Sequence, residues 1–486
     1  MRSIAAVPVL IASLVATTPL SVDAAQQRSF VASFGLDTAN CQLATPCRSF
    51  NVAIANTNPG GEVVILDTAG YGPMTITKSI KVIGPAGVYG GISVLGGANP
   101  TTGIVINAGD GDDITLRGLD VSGISGAVPA PLIGIDIQNA GGVHIEKSSI
   151  ANFTDGSGAC INVNTAKTIR IYVVDSFLRE CRTGIYANGN TVNGNRSSVV
   201  VDNTRIERGK GPTSYGVWLL NHMSMSLRNS QISRQDVGAQ IDVTVDNANP
   251  SLDLIDSQLT RVTAGVKFTR TSANGTNFIN LTRSQIQSTD AILATISGAG
   301  SGTYFSLFDS EITNTLNTMT VNNSGVGSNT HIRVMNSHLG WNTNGIVVAN
   351  TAADPNTRFY VDLVRTTMTN NTNPMIDATA SNTAKTYVNV DSSVFANTSG
   401  AVIRTAGDSQ VSASLVRSQV HNCNTVVSHG SASGTVRIDG NHIVACTNDF
   451  VNAGNPGMVS FNNNMVHDVT NSGGFTYITP PTVAPR

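Results

Sequence analysis

The sequence predicts an all-β fold: a single-stranded parallel β-helix, a three-sheet solenoid of about 14 regular coils with a short N-terminal capping helix. Three observations predict it. The stretch Met225-Ser-Leu-Arg-Asn-Ser-Gln-Ile-Ser-Arg-Gln235 recurs along the chain, with two apolar residues five positions apart and a small polar residue between them, here Leu227, Ile232 and Ser230. The second apolar residue, the anchor, falls at Val121, Ile150, Leu178, Ile206, Ile232, Leu259, Ile286, Ile312, Leu339, Met368, Phe395, Val420, Ile443 and Val466, at intervals of 23 to 29 residues. A period near 27 is that of a solenoid, and it overrides the two or three globular domains that 486 residues would otherwise suggest. Finally, each period holds three short apolar clusters, such as Gly216-Val-Trp-Leu219, Met225-Ser-Leu227 and Gln231-Ile232, and no run of 3.6-residue periodicity long enough for a helical repeat. Strands this short, joined by Asn, Gly, Ser and Thr corners, pair with the same strand one coil away and enclose a triangular core. Neighbouring strands about 4.8 Å apart make such a stack roughly 65 Å long.

In chain order, Met1-Arg2-Ser3, the apolar run Ile4 to Leu20 and the small residues Val22-Asp23-Ala24 read as a signal peptide over residues 1–24, with a mature start near Ala25. Residues 25–61 form an N-terminal cap. Within it Phe50, Ala53 and Ile54 lie on one face of a short helix over Arg48 to Asn56, and Pro59-Gly60-Gly61 ends that helix. A solenoid leaves its core open at each end, and this helix is the natural lid. The β-helix follows over residues 62–470, its first strands at Glu62 to Leu66, Met74 to Ile76, Ile80 to Ile83 and Ile104 to Ile106, and a Gly/Pro/Thr tail occupies 471–486.

Charged residues are only 12% and the net charge is -2, so no global pull towards nucleic acid or a membrane surface is expected, and no segment after the signal approaches spanning length. All six cysteines lie in the mature part, which suits an oxidising compartment outside the cytoplasm. The repeat register narrows their pairing. Cys423 and Cys446 each stand three residues after an anchor on adjacent coils, Cys160 and Cys181 share a corner of neighbouring coils, and Cys41 and Cys47 remain as a local pair. Each bridge would add about 2–4 kcal/mol. The register also stacks side chains. Two residues before the anchors stand Ser148, Ser176, Thr204, Ser230, Ser257, Ser284, Ser310, Ser337, Thr366, Ser393 and Ser418, then Asn441 and Asn464; two residues after stand Asn314, Asn370, Asn397 and Asn422. Both columns read as structural.

The segment Pro46-Cys-Arg-Ser-Phe50, Ala53-Ile54, Pro59-Gly-Gly61, Glu62-Val-Val64 and Ile76-Thr-Lys-Ser-Ile80, together with the repeats, resembles secreted bacterial right-handed parallel β-helix repeat proteins of the pectate-lyase-like superfamily. The resemblance covers nearly all of the mature chain and implies a right-handed coil, a periplasmic or extracellular location and a polysaccharide as partner. It leaves activity open, because members include lyases, hydrolases, esterases and epimerases as well as adhesins and phage tail parts.

The enzymatic members' motifs do not stand out. Ser428-His429-Gly430, with Asp439 on the next strand, is the nearest fragment, and its histidine reads as a solvated turn residue. Asp110-Gly-Asp-Asp113 is the densest acidic cluster; such carboxylates can bind calcium, but the EF-hand pattern fails for want of a distal Glu, so it reads as a turn, with no metal or cofactor expected. Glu180, Glu207 and Asp236 lie near one corner of consecutive coils, each with Arg neighbours, and read as ion-paired.

Strand parity selects one candidate surface. In the strand that begins Gly-Ile or its equivalent, the residue between two inward apolar positions points outward: Asp136, Asn162, Tyr186, Trp218, Gln240 and Lys267 on successive coils. The corner before this strand carries Glu180, Arg208, Arg234 and Arg261, and later Trp341. The ligand-binding candidates are therefore Tyr186, Trp218, Gln240, Lys267, Arg208, Arg234 and Arg261, on a face that the resemblance identifies with a polysaccharide cleft. The expected function is a surface or binding protein for an acidic polysaccharide. The alternative is a polysaccharide lyase or related carbohydrate-active enzyme on uronate-containing polymers, in which an arginine or lysine neutralises the carboxylate and Lys267 or Tyr186 takes the sugar proton.

Overall fold

A computed structural model describes residues 26–96, 101–124, 130–189, 196–452, 458–460 and 463–470. The expected signal peptide and C-terminal tail lie outside the described residues. The inward residues of one coil show why the chain winds as it does. Val217 and Leu219, Met225 and Leu227, and Ile232 come from three successive strands and are all buried. None of these strands can bury its apolar side against a neighbour in the same coil by pairing, so each pairs in parallel with its counterpart one coil on: Tyr215–Asn221 with Val237–Val243, Met223–Arg228 with Ser251–Ile255, and Gln231–Ser233 with Gln258–Arg270. The rule holds along the chain and produces three parallel ladders. Sheet 1 contains Tyr215–Asn221 and its counterparts, sheet 2 Met223–Arg228 and its counterparts, and sheet 3 Gln231–Ser233 and its counterparts. The fold is an all-β parallel solenoid of about fifteen turns. One turn precedes those counted from sequence, because Gly90–Val94 pairs with Leu119–Gly123 and sets Ile92 opposite Val121.

The corners explain the columns read from sequence. Along most of the column the backbone N–H of the small residue two before an anchor donates to the hydroxyl of its counterpart on the next coil, as from Ser148 to Ser176 (3.3 Å), Ser176 to Thr204 (3.3 Å), Thr204 to Ser230 (3.2 Å) and Ser230 to Ser257 (3.1 Å). Each hydroxyl in turn donates to a carbonyl two residues back, as from Ser148 to Glu146 at 2.9 Å. The row thus satisfies backbone groups that the corner would otherwise bury unpaired.

Two left-handed residues bracket most sheet 3 strands. Three before the anchor stand Lys147, Asp175, Asn203, Asn229, Asp256 and Arg283, with φ between 45° and 51°; two after it stand Asn152, Glu180, Arg208, Arg234 and Arg261, with φ between 54° and 68°. Asn tolerates this region because its short side chain bonds locally, whereas arginine and glutamate have no such compensation.

At the N-terminal end the helix α1 spans Phe50–Ala55 and buries Phe50, Ala53 and Ile54. Asp37 fixes the turn that leads into it, its Oδ1 accepting from the N–H groups of Arg48 (2.9 Å) and Ser49 (2.8 Å). The Cys41–Cys47 disulfide closes the loop beside it. Two expectations change here. The helix ends before Pro59-Gly60-Gly61, which lies inside the strand Thr57–Ile65, and Thr57 Oγ1 accepts the task of ending it by donating to Ala53 O at 2.7 Å. Sheet 2 also begins earlier than residue 62, because Gln26–Val31 pairs in parallel with Thr57–Ile65. Disulfides also join Cys160 to Cys181 and Cys423 to Cys446 on neighbouring coils. Among the described residues no helix is long and apolar enough to cross a membrane.

Candidate functional site

Parity in sheet 1 places the candidate row as a continuous column. Asp136 lies opposite Asn162, Asn162 opposite Tyr186, Tyr186 opposite Trp218, Trp218 opposite Gln240, and Gln240 opposite Lys267. The centre is aromatic. Trp218 meets Tyr186 edge-on at 5.5 Å between ring centroids and Tyr215 at 4.5 Å. Asp242, two residues beyond Gln240 on the same face, ties the row together. It accepts the indole N–H of Trp218 at 2.8 Å and the amide of Gln240 at 2.7 Å. The sequence reading missed Asp242 and Tyr215. Asp242 was recognisable only by the same parity carried two residues further, where the neighbouring coil has Leu220 and breaks the pattern.

These contacts change what each residue can do. Gln240 is 5% exposed, so it supports the row from within and offers little surface. Burial, helped by the Asp242 carboxylate, pushes the Tyr186 phenol above its ordinary pKa. That keeps Tyr186 protonated, a hydrogen-bond donor to a ligand rather than a ready proton acceptor. Lys267 is exposed at the C-terminal end of the row.

The preceding corner carries the charges. Glu180 pairs with Lys210 and lies 3.8 Å from Arg179, and the bond from Lys210 chiefly holds its carboxyl below the usual range. Glu207 pairs with Arg205 at 3.2 Å and Arg208 at 3.8 Å. Asp236 differs from the expected ion pair: its carboxylate accepts from the N–H and hydroxyl of Ser214, at 2.7 and 2.9 Å, and so fixes the loop of the preceding coil. Arg208, Arg234 and Arg261 are exposed. Among the described residues neither Arg234 nor Arg261 has a carboxylate partner within 4.0 Å. Trp341 stands three coils further along the same corner, 64% exposed and also left-handed, with φ 59°.

Other sequence candidates have structural partners. His429 is fully buried in the strand Gln419–Ser433, not solvated in a turn, because it shares inward parity with Val427. Its Nδ1 is 2.6 Å from Thr405 Oγ1, burial lowers its pKa, and Asp439 is engaged elsewhere by Arg437 and Asn463. In the acidic turn, Asp110 binds Asn139 (2.8 Å) and Lys167 (3.0 Å), and Asp112 accepts from Ser79 and Gly109 N. Among the described residues no three His, Cys, Asp or Glu side chains are grouped to hold a metal ion. A further row that sequence reasoning missed, Phe278, Tyr304, His331, Tyr360 and Tyr387, runs along sheet 2 with ring centroids 5.2 to 6.2 Å apart. The stacked pairs at its two ends cover one another's ring faces, which suits stabilisation of the sheet.

No family model matches the chain, and no curated protein matches it. Solved structures with the same kind of coil are dissimilar in sequence. XylC, determined in complex with xylose, is 9% identical, with a TM-score of 0.45 over 66% of this chain and 86% of that one. Tailspike protein 3 of bacteriophage CBA120 is 11% identical, with a TM-score of 0.36 over 94% and 64%. Pectate lyase Pel9A is 13% identical, with a TM-score of 0.25 over 77% and 76%. At these identities the likeness concerns the fold alone.

Proposed function

We propose that the protein is exported from the cytoplasm and binds an acidic polysaccharide lengthwise, along sheet 1 and the corner that precedes it, as a surface or binding protein. One observation carries this reading. Asn occupies the left-handed corner position at Asn152, Asn314, Asn370, Asn397 and Asn422, and Glu180, Ala445 and Asp468 hold it on one coil each, whereas arginine holds it on three consecutive coils, at Arg208, Arg234 and Arg261, and Trp341 holds it further on. A left-handed residue other than Gly or Asn costs about 1–3 kcal/mol, and such strain collects at functional positions. The three arginine backbones stand about 4.8 Å apart, and the span from Arg208 to Trp341 is roughly 24 Å, enough for several sugar units. The neighbouring carboxylates of Glu180, Glu207, Asp236 and Asp242 are already bonded, which leaves Arg234, Arg261 and Lys267 to meet an anion. Trp341 supplies an open aromatic face for a sugar ring. Three disulfides, with no free cysteine among the described residues, fit export.

The test is affinity electrophoresis in gels containing pectate, alginate or a neutral glucan. Wild type should be retarded by the acidic polymers only, less so at high salt, and Arg208→Ala/Arg234→Ala and Trp341→Ala should each lose that retardation. Equal retardation of all proteins would place binding elsewhere. A rise in ultraviolet absorbance from unsaturated products would replace binding by a lyase reaction.

A further inference from the structure

A second concave surface lies on sheet 3, away from the row on sheet 1. It is a groove of about 670 Å³ lined by Tyr89, Asp120, Lys147, Ser149, Phe177 and Arg205 among others. The repeat builds it from five consecutive coils. Gly91 lies opposite Asp120, Asp120 opposite Ser149, Ser149 opposite Phe177, and Phe177 opposite Arg205, so the floor is one column along the solenoid axis. Four steps make it roughly 19 Å long.

Its N-terminal end is aromatic. Tyr89 is 45% exposed, and its phenol ring rests on Gly91, where a Cβ would come within 2.4 Å of the ring. Glycine at 91 therefore seats the ring against the sheet while leaving it open to the groove. At the other end the guanidinium carbons of Arg179 and Arg205 stand 6.0 and 5.8 Å from the centroid of the Phe177 ring, closing its faces. Between them Asp120 is half-buried and has no cation within 4.0 Å among the described residues. Burial is the largest cause of its raised pKa, outweighing the bond to Ser149 and the charge of Arg179. A half-buried carboxylate with no cation beside it can accept bonds from the hydroxyls of a ligand. The groove's charges also balance, Lys147 and Arg205 against Asp120 and Asp175, and Arg205 is already paired with Glu207. A polyanion gains nothing here. A ring with hydroxyls fits the aromatic end and the polar floor together.

We propose that this groove is a second, separate saccharide site, which takes a short neutral segment of a glycan with one sugar ring on Tyr89 and its hydroxyls bonded to Asp120 and Ser149. The experiment is titration calorimetry of the full exported chain with cellohexaose, xylohexaose, mannohexaose and hexagalacturonate. At least one neutral hexasaccharide should bind saturably. Tyr89→Ala and Asp120→Ala should each weaken that binding tenfold or more, Tyr89→Phe should retain it within about threefold, and Arg208→Ala/Arg234→Ala should leave it unchanged. Melting curves that match wild type establish that the variants are folded. Absence of saturable binding by all three neutral probes would overturn the proposal. So would binding indifferent to both Tyr89→Ala and Asp120→Ala, or hexagalacturonate binding that those two changes abolish. The arginine row on sheet 1 would stand or fall independently, because its variants and its acidic ligands are different.

Discussion

The indole N–H of Trp218 and the side-chain amide of Gln240 converge on opposite oxygens of one carboxylate, Asp242, at 2.8 and 2.7 Å. The acceptor thus binds a side chain on the preceding coil and one on its own strand, and it fixes the indole within the candidate face. Asp242→Ala should leave both donors unpaired and lower stability by about 1–3 kcal/mol. In a Trp341→Phe background the fluorescence of the remaining Trp218 should shift to the red as the indole gains freedom. An unchanged spectrum would mean that packing against Tyr186 and Tyr215 holds the ring without the carboxylate.

Arg270 gives a second prediction. It is fully buried, with its guanidinium donating to Ser272 O (3.1 Å), Ala248 O (3.0 Å), Ala273 O (3.3 Å) and Asn277 Oδ1 (2.8 Å). Burial without a carboxylate partner in the bonds it makes draws its pKa down to about 10, still charged at neutral pH. Arg270→Met would keep the stem's packing but leave those acceptors bare, each at about 1–3 kcal/mol, offset in part because a charge is no longer buried. Hydrogen exchange should quicken around residues 245–248 and 270–277 while distant coils stay protected. Loss of protection along the whole solenoid would contradict a local role.

Arg270 and His429 also mark where the sequence was hard to read. Anchors and the serine column were legible because an apolar residue recurs at every anchor and a hydroxyl stands two before eleven successive ones, so period alone exposes them. Arg270 and His429 occupy inward positions by parity, in line with Phe268 and Val427, but their chemistry argues for the surface, and parity had to be preferred over residue type. The sheet 1 row was legible up to Trp218 and Lys267, whereas Asp242 has the apolar Leu220 as its neighbour. The sheet 3 groove draws Tyr89, Asp120, Ser149, Phe177 and Arg205 from five coils with five different side chains. No periodic pattern announces such a site, since only stacking brings its members together.

The solenoid itself can be shortened. Residues 303–329 span one coil, and all three sheets advance by the same 27 residues there, with Gly302 opposite Asn329, Ile312 opposite Leu339 and Met319 opposite Ile346. Their deletion should bring Thr330 to the place of Thr303 and leave a folded, β-rich protein, because each coil touches only its neighbours. By contrast Leu254→Asp, which buries an unpaired carboxylate, should unfold its region at a cost of several kcal/mol. Circular dichroism distinguishes the two, and collapse of the deletion variant would show that coils depend on partners beyond their neighbours.

The corner arginines separate stability from function most sharply. Arg208, Arg234 and Arg261 hold φ of 56°, 56° and 54°, in the region where Asn314 and Asn370 hold 58° and 56°. The backbone demand is therefore the same, and Asn meets it at lower cost. Arg208→Asn/Arg234→Asn/Arg261→Asn should raise stability, by up to about 1 kcal/mol per site if the side chains contribute nothing else. Arg208 gives back a weak, exposed pair with Glu207, at 3.8 Å, worth little in water. If the arginines serve only the fold, the triple variant would gain nothing and bind acidic polymers as before. If they hold an anionic chain, the same variant should melt at a higher temperature and lose its salt-sensitive retardation in pectate gels. Both measurements use one protein preparation. A variant that is more stable and still binds would remove the arginine row from the binding surface.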